Sequence, residues 1–476
     1  MHAKPDAPPP ASFRLWSLRD DVVVDSSADP LTVVTRWGDI EIAAPSPVVR
    51  ECLDRMSLGP VSLPKVTGTA LADLHRLLER LHSCVVRSLD VDDLAGPLLS
   101  VVPVAEHARF ALPAIGGEDL VRLSRFTAMR TSADELVLES PLARHRVLLH
   151  RSLPSSVAGT LGRAVAVNEL AAAVDSDLGL VSEIVAHLVA AGVVVLGERD
   201  ETTGQPVFAE DRDPRLVQWS HHDLLFHTRS RMGRNDEPLG AAYRHVGEIS
   251  PQPAVKPAPP GPRIPLHRPD LADLRTTDPA LTEVIESRRS FRELAPLSVT
   301  ELGDLLFRTA RVRSFRDATG AGGVRYPVTD RPYPSSDSLY ELELYVSVDA
   351  CEGLERGVYH YDPAEHALTL LSTEESRLAE LLDDAKVLTG TLRRPPALIT
   401  MTARMARLSW VYDGIAYATA LKHVGVLQQT LYLVATAMGL APCALAVGDS
   451  DAATEALGLD WPAEVSIGEF VVGRRA

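Results

Sequence analysis

Two rhythms of apolar residues alternate along the chain. In VAVNELAAAVDSDLGLVSEIVAHLVAAGVVVLGERD, residues 165–200, Leu170, Val174, Val181, Ile184, Val185 and Leu188 keep the spacing of a helical face. Asn168, with Glu169 behind it, reads as a helix start, and Gly192 falls where the second helix should stop. Residues 193–196 are β-branched and strand-like. Residues 46–90 repeat the pattern more loosely. SPVVRECLDRM predicts an amphipathic helix, GPVSL a turn and short strand, and ADLHRLLERLHSCVVRSL a helix running into a strand at 84–86. A helix-turn-helix followed by a hairpin strand is the winged-helix shape, so the pattern predicts two such units in tandem.

Downstream, RPYPSSDSLYELELYV predicts an extended loop entering a strand that alternates over 339–346. Residues 414–438 predict one long helix stopped by Gly439. Residues 424–448 carry no charge and are long enough to span a bilayer, but Gln428, Gln429, Thr430, Thr436, Gly439 and Pro442 break the apolar run. That stretch predicts a buried helix followed by a buried strand. Between the two halves lies PQPAVKPAPPGPRIPLHRP, residues 251–269, with eight prolines in nineteen positions. Proline at that density predicts an extended linker between domains.

Charge narrows the function. With 48 Lys and Arg against 64 Asp and Glu, the 476-residue chain has a net charge of −16 and no general attraction for nucleic acid or anionic membrane. The helix over 179–191 has no Lys or Arg, which argues against DNA reading by the second winged helix. Binding of a peptide between helix and wing fits better, with 193–196 offering a strand edge. The four cysteines (Cys52, Cys84, Cys351, Cys443) are far apart and indicate neither a zinc site nor a disulfide framework. His221, His222 and His227 lack the spacing of a metal site and read as solvated or packing residues, so no metal is expected. The first residues lack the apolar core of a signal peptide, and a cytoplasmic protein is expected.

The chemistry concentrates in the C-terminal part. Arg288, Arg289, Ser290 and Arg292 stand at what reads as a helix end, over ESRRSFREL. Such crowding is costly unless an anion neutralises it, and guanidinium forks suit phosphate oxygens. Arg474 and Arg475, behind a short final strand, could close over the same anion. Ser335 and Ser336 offer short donors in the Pro-Ser loop. Lys422, Gly425, Val426 and Gln429 share one face of the long helix, and a lysine in so apolar a helix predicts burial and a lowered pKa.

The order R-R-S-x-R, then P-S-S before a strand, then x-K-H-x-G-x-x-x-Q and G-L-x-P-C on and after a long helix, resembles the FMN-dependent nitroreductase superfamily. More narrowly it resembles the SagB-type (McbC-like) azoline dehydrogenases, over residues 270–476. FHTRSRMGRND upstream resembles the lead-in of that family, and the duplicated winged helices resemble leader-recognition elements of cyanobactin oxidases. The expected architecture is therefore α+β. A winged-helix-like domain occupies 1–130, a second, peptide-clamp-like one 131–210, a connector 211–269, and a nitroreductase-like FMN domain 270–476.

The resemblance implies FMN as cofactor, with its phosphate on Arg288, Arg289, Ser290, Arg292 and Arg474, and less firmly Arg475. Ser335, Ser336, Gln429 and the backbone of Ala446, Val447 and Gly448 would face the ring system. It also implies a homodimer whose two flavin sites are each built from both chains. The reaction implied is oxidation of peptide-borne thiazolines or oxazolines to thiazoles or oxazoles, with Lys422 as base, in a precursor peptide and alongside a cyclodehydratase. Two departures stand out. His423 follows Lys422 where the family has tyrosine, so His423 or Tyr417 would assist it, and Asp337 stands where related loops have glycine. Two other readings are a reductase of the same fold using NAD(P)H and a non-catalytic leader-binding scaffold.

Overall fold

A computed structural model describes residues 12–27, 30–63, 69–132 and 134–476, and the chain forms two compact units, Met1–Glu237 and Pro238–Ala476. In the first unit an antiparallel sheet runs in the order Ser12–Leu18, Val85–Val91, Leu99–Pro103, His145–Leu149, Glu135–Glu139, Ala128–Ser132. Helices Pro47–Met56 and Thr69–Arg80 bury Leu53, Met56, Leu74 and Leu77 with Leu31 and Val33 of a three-stranded meander. The sheet pairs Leu99–Pro103 with His145–Leu149, so it runs through the division expected near residue 130. Helical periodicity marks single elements, and long-range strand pairing leaves no such local sign.

The second helical cluster follows its pattern closely. Helices Ser152–Thr160, Val167–Ala173 and Leu178–Ala191 pack over a small sheet ordered Val165–Ala166, Leu120–Leu123, Val194–Arg199, Pro206–Phe208. Gly192 ends the helix in the left-handed region at φ 81°, where a side chain would be strained. Asn168 does not cap. Ala166 occupies that position, and Asn168 bonds Glu118 instead. The strand Val194–Arg199 is flanked on both sides, by Leu120–Leu123 along 194–197 and by Pro206–Phe208 along 197–199, so only part of the expected free edge remains. His227 packs on Trp219, and no cluster of metal-ligating side chains exists among the described residues.

The second unit is an antiparallel sheet between two helical layers. Its order is Arg263–Pro265, Ala367–Ser372, Gly357–Asp362, Leu342–Val348, Ala397–Arg404, Glu464–Arg475, Leu294–Ala295, with Ala441–Leu445 also on Glu464–Arg475. Helices Val299–Ala310 and Ala416–Ala437 cover one face, and Glu375–Thr389 and Ser450–Leu457 the other. This is the α+β, antiparallel-rich plan expected of the C-terminal part. The residue 424–448 stretch is helix, Gly439 stop, then strand, as expected, and no described helix is long and apolar enough to cross a membrane.

The proline-rich segment is not the boundary, which lies between Glu237 and Pro238. Arg407 donates to the Gln252 carbonyl at 2.8 Å, Arg404 to Pro253 at 2.9 Å, and Lys256 to the Tyr345 hydroxyl at 2.7 Å. Arg263–Pro265 adds an edge strand to the sheet. Prolines lack N–H donors, but their extended backbone leaves carbonyls free to accept from buried arginines. Composition alone therefore reads as a linker what is a strap of the second unit.

Candidate functional site

The helix Leu281–Ser287 stops before the arginines, so Arg288–Arg292 lie on a loop past the expected helix end. The loop is fixed from two sides. Phe291 N–H donates to the Pro442 carbonyl at 3.0 Å, and Ser290 Oγ lies 2.8 Å from Tyr432 Oη. Ala444 N–H donates to the same Tyr432 oxygen at 2.8 Å, so the phenol ties the loop to the strand Ala441–Leu445. The Arg288 guanidinium sits over the Tyr432 ring at 5.3 Å, and that of Arg475 over Phe291 at 5.0 Å. Arg289 turns back onto the carbonyls of Glu286 and Arg288.

Successive side chains of a strand point to opposite faces, and this separates the last two arginines. Arg474 bonds Glu301 at 2.9 Å, and that pairing holds its pKa up. Arg288, Arg289, Arg292 and Arg475 are in no ion pair with a carboxylate among the described residues. Of the two, Arg474, which the sequence favours as an anion ligand, is the one already paired with a carboxylate.

The Pro-Ser loop is the second group. Asp337, Ser338 and Tyr340 all have positive φ, at 49°, 56° and 45°, a backbone region costing L-residues about 1 kcal/mol or more each. Aspartate tolerates that region, which accounts for Asp337 where glycine is expected. Specific bonds hold the strain: Tyr412 Oη to Asp337 at 2.6 Å, Arg316 to Ser338 Oγ at 2.7 Å, and Tyr340 N–H to Ser335 Oγ at 3.0 Å. The anchor is His423. Its Nε2 accepts Ser336 N–H at 2.9 Å, with Ser336 Oγ at 3.1 Å, and its Nδ1 lies 2.7 Å from Glu341 Oε1. An Nε2 that accepts an amide proton carries none itself, so the ring proton sits on Nδ1 and points at Glu341. Glu341 is wholly buried, and its Oε2 has no hydrogen-bond partner among the described residues.

Lys422 departs from expectation. It is exposed on the helix Ala416–Ala437, one position from buried His423. Gln429 and Gly425 share that open face, and Tyr417 and Leu421 are exposed beside it. Ala446, Val447 and Gly448 form an exposed turn after the strand Ala441–Leu445. The Gly448 backbone lies so close to the Glu469 carboxyl that a Cβ would meet it at 2.4 Å. Burial pushes Glu469 up to about 6. No bond among the described residues joins the arginine group to the Ser335–Ser336 loop within one chain.

Tyr432 and Glu341 were not found by sequence reasoning. Tyr432 is one tyrosine among many helix residues. Glu341 and Glu343 alternate in LYELEL as solvent-facing positions would, yet both are buried, with Arg404 at 2.8 Å from Glu343. The one available signal is the matching set of arginines, Arg331, Arg404 and Arg407, scattered over the chain.

Compared with known proteins, residues 285–474 match the nitroreductase family, and residues 121–236 match the family described as cyanobactin oxidase ThcOx. A Methanocaldococcus jannaschii protein bearing a nitroreductase name is 29% identical over 186 residues, covering 38% of this chain and 82% of that protein. Among solved structures, a nitroreductase-named protein of Ralstonia eutropha has a TM-score of 0.36 at 24% identity, covering 50% of this chain and 99% of that one. The Escherichia coli microcin synthetase McbBCD complex with truncated pro-MccB17 has a TM-score of 0.33 at 19% identity, covering 56% and 94%. The C-terminal unit is thereby similar to the nitroreductase family over 285–474 and the N-terminal unit to the ThcOx family over 121–236, a combination that supports an oxidoreductase.

Proposed function

We propose that this chain is an FMN-dependent dehydrogenase that oxidises peptide-borne thiazolines or oxazolines to the aromatic azoles. One observation carries the reading. Arg288 and Arg475 stack on Tyr432 and Phe291 beside Ser290, and neither they nor Arg289 and Arg292 are paired with a carboxylate among the described residues. That donor set fits a terminal phosphate, which guanidinium forks bind bidentately. The nitroreductase-family match supports FMN as the molecule that brings the phosphate, and the cyanobactin-oxidase match supports an azoline peptide as substrate.

FMN, when bound, supplies a two-electron acceptor for hydride from the azoline ring. The remaining work belongs to the chain. Lys422 Nζ, on the open helix face, takes the acidic ring proton as hydride leaves the adjacent carbon. His423 is a positioning residue: both ring nitrogens are engaged, so it fixes Ser336 rather than moving the substrate's proton. Ser335, Ser336 and the 446–448 turn give the ring system its polar edge contacts.

The reading includes a homodimer, in which one protomer's arginines would complete a site with its partner's loop. The apolar exposed residues Leu281, Ile285, Tyr417 and Leu421 give that dimer a surface. Docking of a partner there would also cover the helix face that carries Lys422. The helix pair Val167–Ala173 and Leu178–Ala191 with its hairpin reads as a winged helix that holds the precursor peptide, with a cyclodehydratase as the supplying enzyme. The test is conversion of a thiazoline peptide to the thiazole, a loss of two mass units, by FMN-loaded protein. Conversion by the wild type and its loss in Lys422→Ala with flavin retained are expected; normal conversion by that variant would overturn the base assignment.

A further inference from the structure

The N-terminal unit contains a groove of about 1090 Å³ whose lining includes His187 of the helix Leu178–Ala191. Its floor is made by paired strands: Trp16 of Ser12–Leu18 stands opposite Arg87 of Val85–Val91. The helix Thr69–Arg80 forms one wall, and residues 109–112 another. The lining is strongly basic for a chain of net charge −16: Arg14, Arg76, Arg80, Arg87 and Arg109 face it, against Glu79 alone among the acidic residues. Between the cations lie Trp16, Leu63, Leu78, Phe110 and Leu112.

Two of the cations are balanced at the margin, Arg14 by Glu183 at 3.2 Å and Arg76 by Asp73 at 3.0 Å. Arg80, Arg87 and Arg109 are in no ion pair among the described residues. Arg87 is the informative one. Its Nη1 is buried without a hydrogen-bond partner among the described residues, and burial pulls the guanidinium down to about 10. The guanidinium stacks over the Trp16 ring at 6.0 Å but has no anion among the described residues, and an incoming carboxylate would give its buried nitrogen a partner.

We infer that this groove binds an extended acidic peptide segment, its carboxylates on Arg87, Arg80 and Arg109 and its intervening apolar side chains on Trp16, Leu78 and Phe110. An extended chain turns successive side chains to opposite sides, which suits a groove where cations and apolar walls interleave. The apolar share of the lining and the overall negative charge favour peptide over nucleic acid. The inference does not rest on the flavin reading, since these residues belong to the other compact unit.

The test uses the full-length protein and a fluorescein-labelled octapeptide alternating Glu and Leu, followed by anisotropy. Saturable, salt-sensitive binding is expected, weakened by roughly tenfold or more in Arg87→Gln and in the surface double variant Arg76→Glu/Arg109→Glu. The double variant keeps the test intact if Arg87→Gln does not fold. A Lys/Leu octapeptide that binds equally well, or affinity unchanged in the folded variants, would overturn the inference. So would absence of saturable binding, or displacement of the peptide by inorganic tripolyphosphate or an oligonucleotide more readily than by unlabelled peptide.

Discussion

Truncating Glu341 to alanine tests whether the buried His423–Glu341 pair organises the site. Glu341 is wholly buried, accepts a hydrogen bond from His423 Nδ1–H at 2.7 Å, and offsets the positive charge of Arg407, whose own pKa burial lowers to about 10. Removing one partner of a buried charged network typically costs 3–5 kcal/mol, because the groups left behind stay desolvated and unpaired. We therefore expect Glu341→Ala to destabilise the C-terminal unit by about 3–5 kcal/mol. Glu341→Gln, which keeps an acceptor for Nδ1–H but drops the charge, should cost about 1–3 kcal/mol. The readout is hydrogen exchange of the central strands Leu342–Val348 and Ala397–Arg404, whose amides open only when this unit unfolds. The double variant with His423→Ala should lose less than the sum of the single losses, by about 1–2 kcal/mol, because the shared bond breaks only once. A Glu341→Ala protein within 1 kcal/mol of wild type, or strictly additive effects, would refute the reasoning.

Arg288→Ala and Arg475→Ala should each release FMN on dialysis, with affinity down by roughly tenfold or more, while Arg474→Ala, which only frees Glu301, retains it; equal loss from Arg474 would restore the order given by sequence. Burial, then the nearby Arg87 charge, pulls His145 down to about 4 from 6.5, so the unfolded chain binds a proton first as pH falls. Stability of the N-terminal unit should then drop by about 3 kcal/mol between pH 6.5 and 4, and His145→Gln should remove that slope in urea titrations at fixed pH. Glu469 has the opposite sense. Its folded pKa near 6 exceeds the ordinary 4.5, so the native carboxyl keeps its proton where the unfolded one has lost it. Stability should fall by up to about 2 kcal/mol as pH rises from 4.5 to 6, and Glu469→Gln should abolish that fall.

Where a signal is local, the chain is readable in advance. The helix Leu178–Ala191 with its Gly192 stop and the long helix Ala416–Ala437 ended at Gly439 follow from spacing and caps. What escapes the sequence is decided by pairing at a distance. The six-stranded sheet ties residues 12–18 to 128–149, and the proline-rich strap is held by arginines more than 130 positions away. Lys422 and His423 show the same limit on a smaller scale. Neighbours on a helix differ by about 100° in direction, so one is exposed and the other buried, and an apolar average over the segment hides which is which. Glu341 reads as a surface residue of an alternating strand because its partner His423 comes 82 positions later.

The most direct test of the central claim is anaerobic mixing of the purified, FMN-reconstituted protein with a thiazoline-bearing peptide while the visible flavin absorbance is followed. The account predicts bleaching of the flavin band with one thiazole formed per flavin, recovery on admitting air, and no bleaching in Lys422→Ala that still holds FMN. A protein that cannot be reconstituted with FMN, or whose bound flavin is bleached by NAD(P)H and left unchanged by the thiazoline peptide, would contradict it.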